Sequence, residues 1–166
     1  MLKRLLKSIL FIIFIISLSF FSYYKFFKQQ KEISVIEKID VEDIMLTGKK
    51  IPFVDENLKM KNALKILSDK NLGVLIVQDK KKHTIGIITD GQIRRFNQKN
   101  SNLHSTKVIK VMTKNPISIE KNELAAKALS LMNNKKITSL CVFDKKNKNK
   151  TIGILHVHTI LQSNIS

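Results

Sequence analysis

The stretch "TIGIITDGQI" (residues 84–93) occurs again 67 residues later as "TIGILHVHTI" (residues 151–160). Both begin with Thr-Ile-Gly-Ile and one more branched apolar residue, a composition typical of a short buried β-strand. Both then continue through polar or variable positions to an Ile. A strand repeated in this way indicates an internal duplication in which each copy is one supersecondary unit. The rest of each copy is expected on either side of this strand.

An amphipathic helix is predicted upstream of the strand in each copy. Four apolar positions recur at i, i+3, i+4 and i+7, which places them on one helix face. These positions are Met60, Ala63, Leu64 and Leu67 in the first copy and Ala125, Ala128, Leu129 and Met132 in the second. Asn57 and Asn122 precede the two stripes and are the predicted N-caps, because a short side-chain oxygen can accept an otherwise unpaired helix amide.

Each copy also contains two apolar strands that flank a lysine-rich turn, which predicts a β-hairpin. The strands are residues 73–77 and 84–88 in the first copy and residues 139–143 and 151–155 in the second. A short helix near residues 92–97 and 159–163 closes each copy. The predicted unit is β-α-β-β-α. Because one such unit cannot cover its own sheet, we expect an α+β fold in which two repeats pack face to face.

This pattern resembles the tandem CBS-domain (Bateman) module over residues 41–162. The stretches that carry the resemblance are "VEDIM", "IPFV", "DKNLGVLIVQD" and "IGIITDGQIRRF", then "VIKVMTKNPISI", "KKITSLCVFD" and "IGILHVHTILQ". The wording "VEDIMLTGKKIP", "TDGQIRR" and "HVHTIL" is similar to one branch in particular, the C-terminal module of arabinose-5-phosphate isomerases of lipopolysaccharide and capsule sugar synthesis. In that family a sugar isomerase (SIS) domain precedes the module. A hydrophobic segment stands in its place here, so the resemblance implies a regulatory part and no catalytic residue.

The resemblance also implies a cleft between the copies for an adenine- or cytidine-based nucleotide, although no cofactor is assigned. In such clefts a hydroxyl ends the second strand and holds phosphate, and an aspartate three residues later takes the ribose hydroxyls. Thr89 and Gln92 occupy these two positions in the first copy, and His156 and Thr159 occupy them in the second. The ribose-binding carboxylate is therefore missing from both copies. The alternative to nucleotide binding is a module that serves only for dimerisation or partner docking. The residues that the resemblance places at the cleft are Ile51, Gly73, Val74, Thr89, Gln92, Thr138, Leu140, His156 and Thr159.

The first 31 residues are predicted to anchor the chain in a membrane. Residues 8–24 carry no charge and, at helical rise, approach the thickness of a bilayer core. Tyr23 and Tyr24 stand where interfacial aromatic residues are expected. A cleaved signal peptide and an amphipathic tail are the rival interpretations, but the segment lacks small residues at a cleavage site. The predicted organisation is an anchor (1–31), a linker (32–40), repeat 1 (41–100), a linker (101–107) and repeat 2 (108–163).

The charge of the chain is strongly basic, with a formal net charge of +17, but arginine occurs only at Arg4, Arg94 and Arg95. Lysines cluster at the hairpin turns and are interpreted as solvated loop charge, with a partner surface as the alternative. Base readout favours arginine forks and stacking aromatic residues, so a nucleic-acid partner is disfavoured. The single cysteine, Cys141, lies in an apolar run and is predicted to be a buried structural thiol. His156 and His158 lack a third ligand nearby, so no metal is predicted.

Together these features predict a single-pass protein of the bacterial inner membrane with its soluble body in the cytoplasm. Its predicted role is a non-catalytic CBS-pair sensor or scaffold that forms a homodimer through the repeats. A first alternative is the detached regulatory part of an arabinose-5-phosphate isomerase that acts with a separate SIS-domain partner. A second alternative is a basic surface that binds anionic lipid or nucleic acid.

Overall fold

The computed structural model describes residues 17, 20–25, 38–99 and 102–163. The first repeat contains α1 (Val41–Ile44), β1 (Leu46–Thr47), a 3-10 helix (Gly48–Lys50), β2 (Phe53–Asp55), α2 (Met60–Lys70), β3 (Val74–Gln78), β4 (Thr84–Thr89) and α3 (Asp90–Lys99). The second contains a 3-10 helix (Val108–Lys110), β5 (Thr113–Lys114), β6 (Ser118–Glu120), α4 (Ala125–Lys135), β7 (Ser139–Asp144), β8 (Asn147–His156) and α5 (Val157–Gln162). The predicted tandem α+β architecture is confirmed.

The strands form two four-stranded sheets, in the orders β2-β3-β4-β5 and β1-β8-β7-β6. The predicted hairpins are the antiparallel pairs β3/β4 and β7/β8, and β2 and β6 join them in parallel through the helical crossovers. One feature was not predicted. The first strand of each repeat lies in the sheet of the other repeat, because β1 pairs with β8 and β5 pairs with β4.

Both faces of each central hairpin are buried, which explains its nearly continuous apolar sequence. Along β3, Leu75 and Val77 point towards the helices of their own repeat. Val74 and Ile76 point the other way and pack with residues of the second sheet, among them Cys141. The order of layers is therefore helices, sheet, sheet, helices, which is the predicted face-to-face packing. Burial raises the pKa of the Cys141 thiol to about 11, as expected for a structural cysteine.

The duplicated Thr-Ile-Gly-Ile strands meet each other where the two sheets touch. Thr84 Oγ1 donates a hydrogen bond to Thr151 Oγ1 at 2.8 Å, and the backbone N–H of Thr151 donates to Thr84 Oγ1 at 3.2 Å. These two threonines are equivalent positions of the two copies. The contact therefore marks the approximate two-fold axis of the pair.

The glycine of the repeated motif is required by the exchange of first strands. A Cβ on Gly153 would overlap Met45 Sδ and lie 2.9 Å from Met45 Cγ, immediately before β1. A Cβ on Gly86 would overlap Met112 in the same way and lie 2.9 Å from the backbone oxygen of Thr113 in β5. Each methionine thus packs on the glycine of the opposite repeat. The duplicated glycines keep the space for the exchanged segments.

The predicted N-caps at Asn57 and Asn122 are wrong. The helices begin later, at Met60 and Ala125, and their N-cap residues make no side-chain capping bond. Backbone carbonyl groups from other segments satisfy the first amides instead: Met60 N–H donates to Thr106 O and Ala125 N–H donates to Ile39 O, each at 2.8 Å. Such long-range partners leave no local signal in the sequence.

The predicted membrane segment falls largely outside the described residues. Residues 20–25 are helical, and Phe20 and Phe21 expose 70% and 59% of their surface. Within the ranges that the structure describes, no helix combines the length and the apolar character needed to cross a bilayer.

We expect Gly153→Ala and Gly86→Ala each to lower the free energy of unfolding by about 1–3 kcal/mol, because the added methyl overpacks a closed contact. Urea unfolding of the purified variants measures this. The two variants should differ in whether a second substitution, at the contacting methionine, restores stability. Met45→Ala should partly restore Gly153→Ala, since the next atom, Leu46 O, lies at 3.3 Å, whereas Met112→Ala should not restore Gly86→Ala, where backbone remains at 2.9 Å.

The matched control is Gly91→Ala in α3. Its Cβ would meet the end of the flexible Arg95 side chain at 3.4 Å and Thr89 Oγ1 at 3.8 Å, an ordinary contact. Alanine is favoured over glycine in a helix, so this variant should be neutral or more stable by up to about 1 kcal/mol. Equal destabilisation at all three glycines would contradict the exchange-based explanation.

Candidate ligand cleft

A cavity of about 510 Å³ opens between the two repeats. It lies where β4 passes into α3 and where β8 ends, and the segments before β3, β6 and β7 complete its wall. The lining residues are Leu72, Gly73, Ile87, Thr89, Asp90, Gly91, Gln92, Arg95, Thr113, Asn115, Pro116, Ile117, Lys136, Ile137, Thr138, Ser139 and His156. Both copies therefore contribute to one site.

The lining combines an apolar wall with hydroxyl groups and two cations. Leu72, Ile87 and Ile117 offer aliphatic surface to a flat ring. Arg95 and Lys136 bring positive charge from the first and the second repeat, respectively. Charged donors beside hydroxyls suit a phosphate or carboxylate group. The cavity can thus hold a small ligand that carries both an apolar ring and an anionic group.

The side-chain amide of Gln92 already forms hydrogen bonds with other residues of the protein. Its Oε1 accepts hydrogen bonds from the backbone N–H and from Oγ1 of Thr89, the latter at 2.8 Å, and its Nε2 donates to Thr113 Oγ1. Thr89 immediately precedes α3 and Gln92 is its third residue, so the bond from the Thr89 N–H to Gln92 Oε1 is one half of a capping box. Gln92 therefore caps α3 and ties it to the exchanged strand β5.

Gly73 leaves room for Asp90, the single aspartate among the residues that line the cavity. Gly73 has a φ of +63°, which favours glycine, and a Cβ there would lie 3.0 Å from Asp90 Oδ2. The Asp90 carboxylate consequently sits over a backbone position that must stay bare. It is the one acidic group among the residues that line the cavity.

The second copy ends its repeated strand with a different cap. His156 Nδ1 accepts the backbone N–H of His158 at 3.2 Å and so caps α5. The neutral ring must then carry its proton on Nε2. Partial burial lowers the pKa of His156, and the neighbouring His158, whose ring is stacked with centroids 5.0 Å apart, lowers it further. His156 is therefore a neutral hydrogen-bonding group at pH 7.

Five of the nine predicted ligand residues line this cavity: Gly73, Thr89, Gln92, Thr138 and His156. The other four lie elsewhere. Ile51 and Val74 are buried between the two sheets, Leu140 belongs to the core beneath the second repeat's helices, and Thr159 lies on α5. A ligand contact for these residues stays a prediction.

Sequence reasoning left Arg95 unassigned and did not single out Lys136. Arg95 reaches the cavity because it lies one turn after Gly91, with its guanidinium near the site of a Gly91 Cβ. Lys136 ends α4 in a left-handed conformation (φ 53°), equivalent to Asn71 after α2. Local sequence gave no signal that distinguishes Lys136 from the neighbouring Lys135.

The chain belongs to the CBS domain family. The family model described as CBS domain matches residues 41–99 and 108–165, so the chain carries a tandem CBS pair.

Several relatives resemble the pair closely. An uncharacterized protein of Rickettsia prowazekii is 37% identical over 126 residues, which are 76% of this chain and 38% of that protein. Arabinose 5-phosphate isomerase KdsD of Yersinia pestis is 34% identical over 125 residues, 75% of this chain and 37% of the isomerase. The chain thus spans little more than a third of these relatives. CBSX2 of Arabidopsis thaliana in complex with AMP shares the fold, with a TM-score of 0.65, 24% identity, and coverage of 76% of this chain and 96% of that structure.

The lowered pKa of His156 predicts a stability loss in mild acid. The folded state favours the neutral ring, so this group's contribution is fully present above its unfolded pKa of about 6.5 and is lost as the pH falls through the lower folded pKa. Urea unfolding between about pH 7.5 and about pH 5 should show the loss. His156→Asn keeps a capping oxygen without the titration, so it should flatten the pH dependence; an unchanged slope would contradict this assignment.

Proposed function

We propose that this chain is a non-catalytic CBS-pair regulatory module that binds a nucleotide-type anion in the cavity between its repeats. The observation that carries the proposal is the composition of that cavity, in which Arg95 of one repeat and Lys136 of the other line the same space with several hydroxyl groups. The AMP complex of CBSX2, which has the same fold, supports a nucleotide as the ligand.

Regulation would follow because both repeats line the same ligand site. A ligand that touches both repeats favours the arrangement in which both sets of contacts are made, and it shifts the protein towards that arrangement by its difference in affinity. Gln92 would act through the α3 cap and not by clamping ribose, because its acceptor is occupied by Thr89. The two copies would therefore respond unequally, since α5 is capped by a histidine instead.

Calorimetric titration with AMP, ADP, ATP and a CMP-activated acid sugar tests this function. We expect micromolar binding of one of them. Arg95→Gln should weaken that binding roughly tenfold or more, because a charge-assisted contact to phosphate is lost. Arg94→Gln is the matched control, since Arg94 is the adjacent exposed arginine and does not line the cavity. Absence of heat from every ligand, or equal losses in both variants, would contradict a nucleotide sensor.

A second candidate is the regulatory part of an arabinose-5-phosphate isomerase whose SIS domain is a separate chain. The 34% identity to KdsD over the CBS region favours it. The full chain should then co-purify with an SIS-domain isomerase co-expressed with it, and it should change the isomerase's rate. Elution as a homodimer alone would count against this candidate. A homodimer through the repeats belongs to the first proposal.

Membrane anchoring through residues 8–24, with the body on the cytoplasmic side of a bacterial inner membrane, is also part of the proposal. Its support is the uncharged apolar sequence and the exposed aromatic side chains at residues 20–25, where Lys25 Nζ lies 5.2 Å from the centre of the Phe21 ring. Aromatic and basic residues together suit the membrane interface. Flotation of the full chain with neutral phosphatidylcholine vesicles tests the anchor.

A further inference from the structure

Two lysine-rich turns lie at one edge of the folded pair. The turn between β3 and β4 and the segment from β7 into β8 together contain seven exposed lysines: Lys80, Lys81, Lys82, Lys145, Lys146, Lys148 and Lys150. Thr84 directly follows the first turn and Thr151 directly follows the second, and these two threonines share a hydrogen bond of 2.8 Å. The contact on the two-fold axis therefore brings both turns to the same edge. We call this set of seven residues the lysine edge.

The two carboxylates within these turns accept hydrogen bonds from the backbone of the turns. Asp79 Oδ1 accepts the backbone N–H groups of Lys81 and His83, each at 2.8 Å. Asp144 Oδ1 accepts the backbone N–H of Lys146 at 2.9 Å. Among the residues that the structure describes, no ammonium group of the lysine edge forms an ion pair. The edge thus carries seven lysines against the two carboxylates of its turns.

Other acidic residues nearby lie behind the turns. Asp55 and Glu120 end the short strands β2 and β6, and these strands stop opposite Gln78 and Phe143, before either turn begins. Glu120 lines one surface depression with Lys145 and Lys146. The lysines nevertheless outnumber the acidic residues of the turns and of these strand ends, so the net charge of this edge is positive.

The N-terminal part of the chain joins the fold at the same edge. The backbone N–H of Glu42 donates to Lys121 O at 2.9 Å, and the N–H of Lys121 donates to Phe143 O at 3.0 Å. Lys121 Nζ also pairs with Glu42 at 3.2 Å and with Asp144 at 3.5 Å. Glu42, near the beginning of the first repeat, is thus fastened beside the start of the second lysine turn.

We propose that the lysine edge binds the anionic phospholipid headgroups of the bilayer in which the chain is anchored. The inference rests on the proposed membrane anchor, and it adds which edge of the CBS pair faces the lipid. Lysines near an anionic leaflet are attracted within about a Debye length, roughly 8 Å at physiological salt. Neither turn contains an arginine or an aromatic residue, so the edge suits a diffuse anionic surface better than nucleic-acid bases.

Lysine acetylation footprinting tests the proposal. The full chain is reconstituted in phosphatidylcholine vesicles with or without phosphatidylglycerol, and acetylation of each lysine is followed by mass spectrometry. We expect the lysine edge to react at least about threefold more slowly in the anionic vesicles, because bound headgroups shield it, and we expect salt to remove the effect. Lys61 and Lys65 on α2 are internal controls that should not change.

A charge variant makes the test specific. K80Q/K81Q/K82Q should reduce the protection of Lys145 and Lys146, whereas K61Q/K65Q/K99Q, with the same loss of charge on α2 and α3, should leave it unchanged. Flotation with neutral vesicles but no selective protection would overturn the lysine edge and leave the anchor intact. Failure to float with neutral vesicles would overturn the anchor and, with it, this inference. Stronger protection by single-stranded RNA than by anionic lipid would overturn the choice of lipid as partner.

Discussion

Neither repeat completes its own sheet, and the rest of the structure depends on this exchange. Each exchanged strand makes only two residue pairs, Leu46 and Thr47 with the end of β8, and Thr113 and Lys114 with β4. Such short pairing would be weak alone. The methionine that precedes each strand adds an apolar contact against a bare glycine, so the exchange is held by packing as well as by hydrogen bonds. The pair is therefore one folding unit, and the cavity between the repeats has a defined shape.

The features that could be predicted are those with a local period. The apolar stripes of α2 and α4 and the two hairpins follow from spacing within single segments, and both are present. The exchanged strands escaped prediction because two residues carry no periodic signal. The starts of α2 and α4 were misplaced because their amides bond to Thr106 O and Ile39 O, far away in sequence. The residue types at Asn57 and Asn122 suit a helix cap, but hydrogen bonds to distant backbone carbonyl groups determine where the helices begin.

The candidate site was only partly foreseeable for a related reason. Thr89 and His156 could be placed at the cavity because both end the repeated strand, and strand ends of equivalent copies come together. Val74 and Leu140 were placed there as well, but strand alternation turns them into the sheet interface and the core. Arg95 and Lys136 reach the cavity through the positions of a helix and a helix end. That placement depends on how the repeats pack, which the sequence does not display.

The exchange also determines how a pull on the N-terminus would be carried through the molecule. Residues 40–42 bond to the segment before α4, and β1 pairs with β8, so the backbone pairing of residues 40–47 with other segments lies in the second half. A tether attached before residue 38 would load the sheet that contains β8 first, although the tether precedes the first repeat in sequence. Both ends of the CBS pair are thus held in the same half of the fold.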